Sequence, residues 1–161
     1  MLETLNGYLT LDYVPLGDVA IRLCLAAAFG AVIGIERSWK HKPLGMRPFV
    51  LIATGACLAV LATMEIAYTG SRDELLTIDP AKVIGGILGG IGFLGGAALF
   101  RNDNNTVRGA ATAASIWMTG GVGVACGAGF VVPAVIAVLI GLLTLFLGPV
   151  RDKFDRDSDP S

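Results

Sequence analysis

Three charged residues fall where charge is costly: Asp18, Arg22 and Glu65 stand in or at the edge of long apolar runs. Ionisable groups in such places are functional candidates by default, and each needs a partner. Asp18 and Arg22 are spaced i,i+4 in acid-first order, which favours pairing along one helix face. Arg22 lies about 9 Å along a helix from Leu16 at roughly 1.5 Å per residue. Glu65 falls in the last turn of the next apolar run, which travels the opposite way, so its depth is similar. This predicts Arg22 paired with Asp18, Glu65 or both, near the outer face. Two chemistries are open to the group: an ion pair locking two helices, or a polar path or binding site reached from outside.

A second polar group is the connection "GIERSWKHKPLGMRP". Glu36 and Arg37 stand where the first apolar run ends, Trp39 suits a membrane interface, and Arg47 precedes the second run. With Lys40 and Lys42, the basic residues of this loop read either as an orientation signal or as a docking surface for an acidic partner or lipid headgroup. Arg108, with Arg101, bounds a later loop of the same kind. His41 is the only histidine, and a lone loop histidine reads as solvated.

Catalytic constellations are absent from the sequence: no GxSxG elbow, no Walker A lysine, no HExxH. Gly90 to Gly95 matches GxGxxG, but that pattern binds a dinucleotide only after a strand, at the start of a helix. Cys24, Cys57 and Cys126 lie in apolar runs without CxxC spacing, which predicts small buried side chains rather than a disulfide framework or zinc site. The tail "DKFDRDSDPS" offers Asp152, Asp155, Asp157 and Asp159 but ends before an EF-hand could be completed, and reads as a short disordered tail. No enzyme, no cofactor and no defined metal site is expected.

The elements that must position these groups follow from composition. Of 161 residues, 54% are hydrophobic and only 16% charged, against about a quarter charged in a soluble domain. The net charge of −1 gives no reason to expect nucleic acid as a partner. A bilayer crossing needs about 20 apolar residues, and five segments qualify: 16–35, 48–68, 81–100, 107–127 and 130–149. Pro15, Pro48 and Pro80 sit at or near first helical turns, where a missing N–H costs little. Asp79 is placed to cap the third helix, and Asn105 or Thr106 the fourth. The expected architecture is an all-α, polytopic bundle of five transmembrane helices over residues 16–150. Residues 1–15, with Tyr8 and Tyr13, form an outer interfacial segment, and residues 151–161 a cytoplasmic tail.

Nine basic residues lie on one side: Arg37, Lys40, Lys42, Arg47, Arg101, Arg108, Arg151, Lys153 and Arg156. The other side holds Arg72 and Lys82. The positive-inside rule puts the N-terminus out and the C-terminus in the cytoplasm. The first membrane helix must then do the targeting, because the N-terminus has no basic region or cleavage site of a signal peptide.

The third segment contains "GGILGGIGFLGGAALF", with seven glycines in sixteen residues. Between membrane helices, small residues gain van der Waals contact by letting backbones approach closely. Gly85, Gly89, Gly92 and Gly96 fall along one face, which predicts helix three as the central, most tightly contacted helix. A second small-residue stripe runs through Gly109, Ala113 and Gly120, with Thr112, Ser115 and Trp117 on the same helix. Plain helix packing is the first reading of these stripes. A hinge, or close approach to an ion or partner, is the other.

The runs "IRLCLAAAFGAVIGIERSWKHKPLGMRPFVLIATGACLAVLA", "VIGGILGGIGFLGGAALF" and "TVRGAATAASIWMTGGVGVACGAG" closely resemble the MgtC/SapB family of bacterial inner-membrane proteins, over about residues 20 to 148. The resemblance is carried by Arg22, by Gly34 to Arg37, by Gly45 and Arg47, by the glycine-rich helix, and by Val107-Arg108-Gly109 with Thr112 and Trp117. It implies a role in magnesium homeostasis, acid or low-magnesium stress and, in pathogens, virulence. It also implies regulators rather than pumps, some of them acting on the F-type ATP synthase. Well-studied members carry a soluble cytoplasmic domain after the last helix, which this chain is expected to lack. Pro48 stands where the family often has threonine.

Two functions compete on this reading. One is a non-catalytic membrane protein acting by helix-face contact with another membrane complex or with a second copy of itself. The other is a transporter or channel for magnesium or protons, supported by Arg22, Asp18 and Glu65. Against it, the inner half of every helix is expected to lack an acidic group.

Overall fold

A computed structural model describes residues 13–40, 44–70, 78–101 and 107–157. Tyr8, His41, Lys42, Arg72, and Asn105 and Thr106 with their expected cap, lie outside the described residues.

Five helices follow one another: α1 (Leu16–Trp39), α2 (Met46–Gly70), α3 (Pro80–Ala97), α4 (Ala110–Gly127) and α5 (Val131–Asp157). Their starts are chemically marked. The Asp79 side chain accepts a hydrogen bond from Ala81 N at 2.9 Å, and Pro80 takes the first helical position of α3, where its missing N–H would have no partner anyway. The start of α4 is later than expected, at Ala110, with Gly109 as its N-cap at φ +93°. Just before it, Phe100–Arg101 (β1) and Val107–Arg108 (β2) pair antiparallel, Phe100 with Arg108 and Arg101 with Val107. This two-residue ladder makes the expected loop a hairpin. Gly109 then turns beside the Ala98 carbonyl, where a side chain would have no room.

α1 runs four residues beyond the expected exit, so Glu36 and Arg37 are helical rather than loop residues. The i,i+4 spacing of Glu36 and Lys40 supports that extra turn. α5 also continues past its expected end to Asp157, where a disordered tail was expected.

α1, α2, α3 and α4 are each long and apolar enough to cross a membrane, and α5 carries an apolar stretch over Val131–Leu147. Leucine, isoleucine, valine and phenylalanine cover the outside, among them Leu51, Leu58, Phe93, Val132, Leu139 and Leu143. In water such a surface would be a liability; in lipid it is the required one.

The centre of the bundle is α4, which packs against all four other helices, while α3 packs only on α4 and α2. Half of the apolar window of α4 is buried, against 6% for α3. This corrects the expectation that helix three would be the most tightly contacted. Around Gly85, Gly86, Gly89, Gly90, Gly92 and Gly96 there is open space; of the glycines in α3, Gly95 alone meets a neighbour, the Ala113 carbonyl. The close seams use the same four-residue spacing elsewhere. A β-carbon on Gly30 would lie 2.6 Å from the Phe49 carbonyl oxygen, and one on Gly34 2.7 Å from Met46 Cα, so α1 and α2 meet backbone to backbone. Gly123 and Gly127 do the same for α4 against Ala53 and Cys57 of α2.

Hydroxyls explain why α4 lies inside. Thr112, Ser115 and Thr119 are buried on one face. Ser115 donates to the Thr112 carbonyl at 2.8 Å and Thr119 to the Ser115 carbonyl at 2.7 Å. Polar groups on a membrane helix turn inward and leave the lipid face to apolar residues; α3 has no hydroxyl to turn. Cys57 and Cys126 are buried as expected, but Cys24 is exposed on the outside of α1.

Candidate functional site

The two ends of the bundle hold its polar groups. At one end, α1 begins and the α4–α5 hairpin turns. Here Arg22 donates from Nη1 to the Gly127 carbonyl at 2.8 Å. Among the described residues, no ion pair joins Arg22 to Asp18 or Glu65, which corrects the predicted pairing. Asp18 is exposed at the helix start. Glu65 accepts from the Tyr13 backbone N–H at 3.2 Å, and the Tyr13 and Tyr68 rings stand 5.3 Å apart.

What draws the guanidinium is the end of a helix. The last carbonyls of an α-helix have no partner within it and carry partial negative charge. In α4, the Val124 carbonyl accepts from Ala128 N at 2.9 Å, Ala125 from Phe130 N at 2.8 Å and Cys126 from Gly129 N at 3.0 Å. Gly129 makes this closure possible at φ +82°, the left-handed corner that commonly ends a helix. The Gly127 carbonyl is the one left over, and Arg22 takes it. A β-carbon on Gly129 would lie 3.1 Å from Arg22 Nη2, so the corner is bare where the guanidinium passes.

At the opposite end the last turn of α1 delivers Glu36, Arg37 and Lys40. Glu36 and Arg37 are each only 3% exposed. Glu36 lies 2.7 Å from Lys40 Nζ and 3.6 Å from Arg37 Nη1. Arg37 Nη2 donates to Thr112 Oγ1 on α4 at 2.7 Å. Lys40 Nζ also donates to the Leu145 carbonyl of α5 and lies 4.9 Å from the centre of the Phe146 ring. These contacts tie α1, α4 and α5 together. Apart from these ion-pair contacts, neither carboxylate oxygen of Glu36, nor Arg37 Nε, has a hydrogen-bond partner among the described residues. A carboxylate therefore does lie inside this half of the bundle, contrary to the expectation that every helix lacks one there.

Beside this cluster opens a cavity of about 1250 Å³. Its polar lining is Arg37, Lys40, Arg108, Thr112, Ser115 and Thr144, and among the described residues no acidic one lines it. Its deeper wall is apolar, with Ile52, Leu94, Ile116, Met118 and Ile140. The cavity exists because α3 and α5 both pack on α4 but scarcely touch each other.

Of the residues singled out from the sequence, the structure thus brings Glu36, Arg37, Arg108 and Thr112 to one place. Arg47 is exposed and outside it. Trp117, expected in helix packing, is 51% exposed on the outer face of α4. Gly85, Gly89, Gly92 and Gly96 line no seam. Lys40 was underrated as one of several loop charges; its spacing from Glu36 was the available signal. Among the described residues, no three His, Cys, Asp or Glu side chains gather where they could hold a metal ion.

The chain matches the model of the MgtC family over residues 23–154. Protein SapB of Bacillus subtilis is 34% identical over 141 residues, which is 87% of this chain and 61% of that protein. Protein MgtC of Salmonella typhimurium strain LT2 is 39% identical over 120 residues, covering 74% of this chain and 48% of that protein. An uncharacterised Haemophilus influenzae protein is 36% identical over 134 residues, covering 83% and 56% respectively. The chain thus spans about half the length of the curated relatives it matches. No solved structure matches it. A family match over most of the chain, together with this helical composition, makes it a multi-pass inner-membrane protein, and it belongs to the MgtC family.

Proposed function

We propose that this chain is a non-catalytic membrane protein of the MgtC/SapB type, serving magnesium homeostasis and adaptation to low-magnesium or acid stress by docking another membrane complex. The observation that carries this reading is the open glycine face of α3. A β-carbon placed on any of six of its glycines would meet nothing within 4 Å, although their spacing would admit a close helix. The F-type ATP synthase is the partner that the family resemblance points to, and a second copy of the chain is the other occupant to test. The Arg37 end of the bundle faces the cytoplasm in this reading, by the distribution of lysine and arginine.

A photo-crosslinking residue at position 89 tests this in native membranes at native expression. A discrete crosslinked species, lost in a Gly92→Leu variant, is the expected result; uncrosslinked monomer alone overturns the reading. Transport of magnesium or protons competes, and the buried Glu36 carboxylate is the feature in its favour. A cation approaching by the cavity would meet Arg37, Lys40 and Arg108 first. Flux across liposomes under a magnesium or pH gradient separates the two, and a flat trace removes transport.

A further inference from the structure

The cavity at the Arg37 end combines two surfaces that rarely adjoin: a cationic rim and an apolar interior. Arg37, Lys40 and Arg108 supply the rim, without a carboxylate among the described residues that line it. Glu36 sits behind them and offsets one charge, leaving the group net positive. Arg37 is 3% exposed and its Nε has no hydrogen-bond partner among the described residues. A buried guanidinium with an unused donor is costly unless an acceptor reaches it.

A second donor set converges on the same rim. The N-terminus of α4 opens there, and its N-cap is Gly109, which has no side chain with which to cap it. The first N–H groups of an eighteen-residue helix carry partial positive charge and favour an anion. The Thr112 and Ser115 side chains line the cavity one turn further in.

Below the rim, Ile52, Leu94, Ile116, Met118 and Ile140 offer nothing to an ion. They suit hydrocarbon. The volume, about 1250 Å³, exceeds the ~300–1,000 Å³ usual for small-molecule sites. Leu94 and Ala97 of α3 and Ile140 and Thr144 of α5 line the cavity from two helices that scarcely touch each other, so an acyl chain could enter between them.

We infer that this cavity holds one anionic phospholipid, with its phosphate on Arg37, Arg108, Lys40 and the α4 N-terminus and an acyl chain between α3 and α5. Basic pockets between membrane helices are known to hold anionic headgroups in this way. Neutral phosphatidylcholine carries the same acyl chains and a phosphate, but its quaternary ammonium would enter a net-positive rim. Inorganic phosphate could meet the rim yet would leave the apolar wall unfilled.

The test uses the full chain purified in detergent, titrated with phosphatidylglycerol, phosphatidylcholine or inorganic phosphate. Binding is read by native mass spectrometry and thermal unfolding. Phosphatidylglycerol is expected to be retained at one per chain and to raise the unfolding temperature, with phosphatidylcholine and inorganic phosphate doing neither. Arg108→Gln, at an exposed position, should weaken phosphatidylglycerol about five-fold, the effect of one basic residue near a lipid surface. Ala114→Trp, which fills the cavity wall, should abolish retention while the protein stays folded. Equal retention of the two lipids, an equal response to inorganic phosphate, or an unchanged affinity in Arg108→Gln and Ala114→Trp would each overturn the assignment.

Discussion

α3 and α4 are both eighteen residues long and both rich in small side chains, yet they hold opposite places in the bundle. α4 is the axis on which the other helices rest, and α3 leans on its side with every glycine except Gly95 facing open space. Small-residue spacing shows that a backbone can be approached; it does not say which helix will approach it. What separates the two is polarity. Thr112, Ser115 and Thr119 force one face of α4 inward, whereas α3, past Lys82 in its first turn, has no polar side chain that lipid would refuse.

The sharpest way to break this comparison is to place the same substitution in both helices. Gly123→Val should cost about 3 kcal/mol, the upper part of the overpacking range, because its side chain would enter the Ala53 carbonyl and Ala56 of α2. Thermal unfolding of the purified protein reads that loss. If Gly123→Val and Gly89→Val melt alike, the distinction between the two helices is lost.

A smaller effect is expected at the hydroxyl face. Thr112→Val removes the acceptor of a buried guanidinium, and a hydrogen bond to a charged group is worth roughly 1.5–3 kcal/mol. The penalty should shrink in an Arg37→Met, Thr112→Val double variant relative to the sum of the singles, as a double-mutant cycle would show. Strict additivity would mean that the Arg37–Thr112 contact contributes nothing.

Gly129→Ala should cost about 1–2 kcal/mol for a left-handed residue bearing a β-carbon. It should also expose the α4–α5 corner to faster hydrogen exchange at the amides of positions 129 and 130. Least of all, Gly89→Ala should leave the unfolding temperature unchanged or slightly raised, since alanine is the better helix former by about 1 kcal/mol and its methyl meets nothing. A marked loss of stability in Gly89→Ala would show that the face is already occupied within the folded chain.

Much of the architecture was legible in the sequence. Helix number, the Asp79 cap and the hairpin after Gly127 follow from apolar run length and local turn chemistry, which act over a few residues. The centre of the bundle was not, because glycine spacing marks only where a backbone can be approached, while the buried hydroxyls of α4 set which helix lies inside. The depth of Arg22 calls for a partner and the sequence displays only carboxylates as candidates, whereas the partner is a backbone carbonyl a hundred and five positions along the chain. Carbonyls leave no mark in a sequence, and only a helix end shows where they are unpaired. Glu36 and Arg37 stand where the apolar run ends, and only the further helical turn to Trp39 carries them inward.

The corner at Gly129 bears on how the protein meets its surroundings. With the last four carbonyls of α4 answered by Ala128, Phe130, Gly129 and Arg22, the reversal needs no water to complete it. α4 spans only about 27 Å at roughly 1.5 Å per residue, while α1 is six residues longer. The middle of the molecule therefore turns back beneath the level at which its neighbours emerge, leaving a dished surface on that side with arginine at its floor.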